Sequence, residues 1–366
     1  MKKVAIVYDR VNKWGGAERV LISLHGLFPD APLFTSLYDP KKAEWANIFP
    51  KVYTSILNKI PYLRDKHELL GTIMPFAFES FNFRGYDLVI SVTSEAAKGV
   101  VTSSSTKHIC YCLTPTRYLW SHYEDYFKKK IFRFISKPAV DYLRRWDRVA
   151  GQRPDIMVAI SDEVKKRINK YYGRDSIIIH PPVDVAKFRK KEKNLQTEKS
   201  KKIKPGYFLI VSRLVPYKKV DLAICAFNKL KKPLVIVGRG RQEKKLKRMA
   251  KANVKFVGEV KEEDLVLYYQ NAKALIMPQE EDFGIVAVEA MASGCPVIAY
   301  KKGGALDIVS DGVSGLFFEN ATVEALVDAV KKFARMEFKT ENLVSNAEKF
   351  SEEIFKKNLL NLINKL

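Results

Sequence analysis

Nowhere in these 366 residues does an apolar run reach the roughly eighteen needed to cross a bilayer as a helix, so a membrane-spanning helix is not expected. The start is short of apolar residues too. Two lysines precede only Val4 to Tyr8, and Asp9 and Arg10 follow, which is too little for a secretory signal and leads us to expect a cytoplasmic chain. Cysteine is scarce, four in all, and Cys110 and Cys112 lie inside an apolar run. Buried free thiols in a reducing compartment suit that placement better than disulfides. No ligand spacing for a metal occurs, and the dinucleotide fingerprint G-x-G-x-x-G is missing.

Acidic residues are the short side of the charge balance, 41 against 64 Lys and Arg, for a formal charge of +23. Such an excess asks for an anionic partner, whether nucleotide phosphates, nucleic acid or an anionic membrane face. Against a non-catalytic nucleic-acid-binding protein, no recognised module for that task is present, and the basic residues of the first half cluster with aromatics. From Lys51 to Arg84, and again from Tyr123 to Arg153, lysines and arginines interleave with Phe, Tyr and Ile. Two readings stand for these stretches. They are helices packing on a domain core with solvated basic residues, or surfaces that lie on acidic lipid.

What is present is a long alternation of apolar strands and amphipathic helices. The length exceeds one ordinary core, so two domains are expected. Val4–Tyr8 reads as a buried strand, and Trp14-Gly15-Gly16-Ala17-Glu18 opens a helix through Val20, Leu21 and Leu24. Glycines between strand and helix permit close approach of a ligand, or serve simply as a turn. Further strands are expected at 87–92, 108–112, 156–160 and 176–179. His180-Pro181-Pro182-Val183-Asp184 then interrupts regular structure and gives the boundary, so residues 1–182 and 183–350 are the expected domains. A lysine-rich stretch, 187–204, reads as a solvated loop, and a final helix over 351–366 must pack on something, here taken as the first domain. Strands 208–211, 234–237, 254–257 and 274–277 alternate with helices in the second half, which argues a parallel sheet covered on both faces.

The candidate chemistry lies around Pro278 to Ala299. A strand ending at Met277 leads into an acidic loop and a helix, so the backbone N–H groups of Phe283, Gly284 and Ile285 would sit at a helix N-terminus that favours phosphate. Glu281 and Glu289, with seven residues between them, frame that site. Arg213 and Lys218 follow another strand at its carboxyl end, the ligand edge of an open α/β sheet, where two cations would neutralise a diphosphate. Gly238-Arg239-Gly240 and Gly303-Gly304 are turns at the same edge.

Together these residues resemble a GT-B glycosyltransferase of family 4, a retaining, nucleotide-sugar-dependent class, and most nearly its O-antigen mannosyltransferases. The resemblance covers most of the chain. It implies an α/β fold of two Rossmann-like doubly wound domains facing across a cleft. It implies that Arg213, Lys218 and Glu281 carry catalysis, and that Gly15, Gly16, Gly238, Phe283, Gly284, Ile285 and Glu289 join them in holding the donor. Glu281 would take sugar hydroxyls and Glu289 the ribose. It also implies mannose transfer from GDP-mannose to a lipid-linked or cell-surface glycan at the inner membrane face, with no cofactor and no metal, as no Asp-x-Asp motif is present. A UDP-sugar transferase and a nucleotide-sugar epimerase are the alternatives within the fold. One departure stands out: Leu113 occupies the place of a histidine in Cys112-Leu113-Thr114-Pro115, with His108 and His122 as the nearby substitutes.

Overall fold

The computed structural model describes residues 2–59, 71–121, 123–126, 130–189 and 204–366, and these divide into two units, Met1–Pro182 with Phe355–Leu366, and Val183–Ile354. Most of the lysine-rich stretch and parts of both basic-aromatic stretches, His122 included, lie outside the described residues.

The first unit is built on seven parallel strands: β1 (Val4–Tyr8), β2 (Leu33–Thr35), β3 (Val52–Thr54), β4 (Leu88–Thr93), β5 (Lys107–Cys112), β6 (Ile156–Ala159) and β7 (Ile177–Ile178). Their order is β3-β2-β1-β4-β5-β6-β7. The chain therefore winds outward from β1 in one direction, then returns to β4 and winds the other way, which is the doubly wound pattern. All five residues of β1 and all six of β4 are buried, as expected for strands covered on both faces. The final helix, Glu352–Ile363, buries Phe355, Leu359, Leu362 and Ile363. It packs on this unit: Phe355 meets Tyr111 of β5 edge-on at 5.7 Å, and Lys2 Nζ donates to the carbonyl of Ile363 at 3.3 Å.

The second unit repeats the plan with six parallel strands: β8 (Tyr207–Val211), β9 (Leu234–Val237), β10 (Val254–Gly258), β11 (Ala272–Met277), β12 (Val297–Tyr300) and β13 (Gly315–Phe318). The order is β10-β9-β8-β11-β12-β13, so the reversal of winding falls between β8 and β11. Helix Val220–Leu230 contributes Val220, Ala223, Ile224, Ala226 and Phe227 to one core with Phe208, Ile210, Ile236, Ile276 and Ile298 from the strands.

Three strands escaped the sequence reading. β2 and β3 are three residues each, too short to show a period, and β13 opens on Gly315. The Lys51–Arg84 stretch accordingly begins as an edge strand and not as a helix. Leu57, Met74, Phe78 and Phe83 from it are in the core of the first unit, while Ile56 and Phe76 are exposed.

Candidate active site

At the carboxyl end of β8 the chain runs through Ser212-Arg213-Leu214-Val215 into a single 3-10 turn, Pro216–Lys218, before the helix at Val220. At the carboxyl end of β11 it runs through Pro278 to Gly284 into helix Ile285–Ala292. These are the two strands that flank the winding reversal, where an open α/β sheet leaves room for a ligand. The two loops meet: Lys218 Nζ donates to Glu281 Oε1 in a salt bridge, and both side chains are largely withdrawn from solvent. Gln279 is buried and donates its Nε2 to the same Glu281 oxygen at 2.7 Å. Arg213 is exposed, with Nη2 donating to the Tyr217 hydroxyl at 2.7 Å.

The remaining predicted residues of this unit lie after β9 and on the loop and helix that follow β11. Gly238, at the end of β9, donates its N–H to the Gly258 carbonyl at 2.7 Å. Leu214 N–H bonds the Arg239 carbonyl at 2.8 Å, so the loops after β8 and β9 are laced together. Gly284, at φ 109°, is the residue from which helix 285–292 departs, and Phe283 turns its ring inward against Phe350, 5.6 Å away. The Gly303-Gly304 turn closes on the acidic loop, Gly304 N–H bonding the Glu281 carbonyl at 2.8 Å. Glu289 is only 2% exposed, and its Oε2 accepts from the buried Tyr269 hydroxyl at 2.8 Å. Gln279, Tyr217 and Tyr269 were not picked out from sequence. Gln279 lies in the acidic loop and Tyr217 between Arg213 and Lys218, but nothing in a one-dimensional pattern marks which neighbour holds a given charged group.

In the first unit the glycine pair follows β1 as expected. Helix Gly16–Leu27 starts with Gly15 in extended backbone, and Glu18, buried in its first turn, accepts from Tyr8 Oη at 2.8 Å. The corresponding nest of backbone donors, after β4, is already filled. Asp9 accepts from the N–H groups of Ser94, Glu95, Ala96 and Ala97 at 2.7–3.0 Å and from the Thr93 hydroxyl at 2.9 Å. A carboxylate of the chain itself thus occupies the place where this sheet could hold a ligand's phosphate.

Of the two histidines considered as replacements at Leu113, His108 is excluded by position. It is on β5, wholly buried, with Nε2 bonded to Ser91 Oγ at 2.8 Å, and burial lowers its pKa to about 3. The thiols match the reading of buried free cysteines at Cys110, Cys112 and Cys295; Cys225 is partly exposed. Burial pushes Cys110 up to about 11 and Cys295 up to about 12, which keeps them as thiols at neutral pH. Among the described residues no group of three His, Cys, Asp or Glu could hold a metal ion, and no helix is long and apolar enough to cross a membrane.

Residues 191–350 match the family model described as glycosyl transferases group 1. That region contains Arg213, Lys218, Gly238, Glu281 and Glu289, with the whole of the six-stranded sheet. The fold of the complete chain is GT-B. A sucrose-phosphate synthase from Thermosynechococcus elongatus superposes with a TM-score of 0.75 at 18% identity, covering 100% of this chain and 99% of that one. The lipopolysaccharide outer core galactosyltransferase WaaB does so with a TM-score of 0.68 at 20% identity, covering 100% of both. Among curated relatives, a GDP-mannose-dependent monoacylated alpha-(1-6)-phosphatidylinositol monomannoside mannosyltransferase of Corynebacterium glutamicum is 32% identical over 203 residues, 49% of this chain and 52% of its own. The chain spans about half the length of the curated relatives it matches, 52% to 58% for the foremost.

Proposed function

We propose that this chain is a retaining, metal-independent hexosyltransferase that moves mannose from GDP-mannose onto a lipid-linked or cell-surface glycan of the O-antigen or lipopolysaccharide type. The observation that carries the reading is the meeting of Lys218 and Glu281 at the carboxyl ends of β8 and β11, inside the group 1 region. The preference for GDP-mannose is supported by the GDP-mannose dependence of the Corynebacterium relative.

In this reading the charges divide the donor between them. Arg213 and Lys218 answer the diphosphate and stabilise the negative charge that grows on it as the glycosidic bond breaks. The backbone N–H groups of Phe283, Gly284 and Ile285 add positive potential at the start of helix 285–292. Carboxylates against phosphate would repel, so Glu281 takes sugar hydroxyls and Glu289, oriented by Tyr269, takes the ribose. A diphosphate entering the site competes with Glu281 for Lys218 and frees that carboxylate for the sugar. Asp9 gives independent support: with the nest after β4 filled, phosphate is left to the second unit. Retention follows from same-face attack by the acceptor, with the leaving phosphate taking its proton and no protein nucleophile.

The site of action is proposed as the inner membrane face, reached peripherally. Helix Lys130–Ala150 presents Ile131, Phe134 and Ile135 to solvent, Phe134 at 79% exposure, near the exposed Lys137, and the chain carries +23 overall. The direct test is incubation with GDP-mannose and a lipid-linked acceptor in the presence of EDTA, with UDP-sugars in parallel and NMR of the new anomeric centre. Absence of transfer or hydrolysis with every nucleotide sugar overturns the reading, and consumption of UDP-N-acetylglucosamine without acceptor would make the chain an epimerase.

A further inference from the structure

Lys218 has two claimants. Its Nζ donates to Glu281 Oε1, and the transferase reading gives the same ammonium to the donor's diphosphate. Glu281 Oε1 accepts a second bond, from Gln279 Nε2 at 2.7 Å, so both lone pairs of that oxygen are engaged. Glu280, its neighbour in the loop, pairs with Lys302 at 3.2 Å and leaves Lys218 to Glu281. Of the two partners the lysine is the one built to move. The Glu281 carbonyl accepts from Gly304 N–H at 2.8 Å, and a Cβ on Gly303 would lie 2.4 Å from the same oxygen, so the acidic loop is pinned against the turn after β12. Gln279, itself buried, anchors the carboxylate. Lys218 instead closes a single 3-10 turn and carries its ammonium on a flexible four-carbon stem, with 14% of the side chain open to solvent.

A phosphate and a carboxylate on one ammonium repel each other, so the two compete for Lys218. The sugar decides the contest. While a hexosyl group is attached to the diphosphate, its hydroxyls donate to the Glu281 oxygens in place of the lysine, and the phosphate keeps Lys218. After the sugar has passed to the acceptor, the carboxylate has lost those donors and takes the lysine back. We propose that Glu281 is a built-in competitor for Lys218, one that loosens the hold on the product nucleoside diphosphate and leaves the hold on the intact donor alone. That the anion is a nucleoside diphosphate rests on the transferase reading; that Lys218 exchanges Glu281 for a phosphate does not.

GDP, UDP and inorganic pyrophosphate are titrated calorimetrically into the whole chain and into Glu281→Gln, Lys218→Met and the double variant, with GDP-mannose and UDP-glucose as intact donors. A diphosphate that binds the parent is expected to bind Glu281→Gln about tenfold tighter, an ordinary size for coupling between two partners of one group. With Met at position 218 the same change should alter its affinity less than about twofold. The intact donor should gain nothing, since it loses the carboxylate that takes its hydroxyls. Glu281→Asp, which keeps the charge on a shorter stem, should show a smaller gain of the same sign. The proposal is overturned if neither Glu281 variant binds a diphosphate tighter than the parent, if no diphosphate binds at all, if the gain persists with Met at position 218, where it would be plain charge repulsion, or if the intact donor gains as much. The titration needs no turnover. A gain for pyrophosphate in a chain that transfers nothing would remove the transferase reading and keep the exchange; transfer with no gain in Glu281→Gln would do the reverse.

Discussion

Lys218 and Glu281, 63 residues apart in sequence, form a salt bridge that ties the loop after β8 to the loop after β11. Each group partners the other, and Gln279 gives the carboxylate a second bond; in the proposed function that bond would hold Glu281 in place as phosphate draws the lysine away. The pair thus positions one cation and one acceptor at the same spot without fixing either permanently.

Lys218→Met is therefore expected to lower turnover by about 10²–10³, the loss of one charge-stabilising contact, and Glu281→Gln by a similar factor. Arg213 is exposed and held by a single bond to Tyr217, so Arg213→Ala should cost less, at least about tenfold. Initial rates at saturating donor are the measurement. Near-normal rates in all three variants would place the chemistry elsewhere.

Gly238 controls the approach of the loops after β8 and β9. It has φ +125°, and a Cβ on it would lie 1.9 Å from the Ser212 carbonyl oxygen. Gly238→Ala should therefore destabilise the chain by more than about 2 kcal/mol and shift Arg213 with Ser212, lowering turnover as well. Gly312, at φ +74° with nothing within 4 Å of the added Cβ, is the control: Gly312→Ala carries the backbone strain without the clash. Thermal unfolding of the two variants should separate them by several degrees, and equal melting temperatures would show that the loop yields freely.

The sheet cores were legible because buried parallel strands read as continuous apolar runs, as in Val4–Tyr8 and Leu234–Val237. The ligand edge was legible because glycines, Arg213 and Glu281 fall directly after such runs. What was not legible is who holds whom. Tyr269 reaches Glu289 across 20 residues, and Asp9 reaches the 93–97 loop across more than 80, contacts that only the folded strand order creates. Short strands such as β2 and β3 were lost for a different reason, since three residues cannot display a period of two. Leu113 remains the place where the sequence departs from its resemblance, and the structure supplies no histidine from β5 to replace it, since His108 is spent on Ser91.

Beneath the loop that follows β5, Lys98 and Asp147 form a fully buried pair at 2.6 Å, each side chain 1% exposed. Asp147 also accepts from Thr116 Oγ1, Trp120 Nε1 and Tyr172 Oη at 2.7–2.9 Å. Burial alone would lower the lysine pKa, but Asp147 outweighs it and holds the pKa above its ordinary value, so the amine stays charged. Lys98→Met leaves a buried carboxylate with neutral partners only and should cost about 3–5 kcal/mol by urea unfolding. Lys229→Met, which breaks an exposed pair with Glu324, should leave the midpoint where it is. Equal effects of the two would mean that the buried network is not fully formed.

His108 gives the pH dependence. It is buried neutral on β5, with Nε2 on Ser91 Oγ at 2.8 Å and no partner for Nδ1 among the described residues, and burial lowers its pKa from 6.5 to about 3. The unfolded chain takes up a proton at this residue below about pH 6.5, whereas the folded chain does not until about pH 3. Between those values the unfolded state binds more protons, so stability falls as pH falls and is fully present above about pH 6.5. Carboxylates titrate in the lower half of that window, so the comparison has to be with a variant that lacks only the imidazole. His108→Gln keeps a hydrogen-bonding partner for Ser91 and cannot take the proton. Its unfolding free energy should change less than that of the parent between pH 7 and pH 5, where few ordinary carboxylates titrate, and parallel curves over that range would show that His108 is protonated equally in both states.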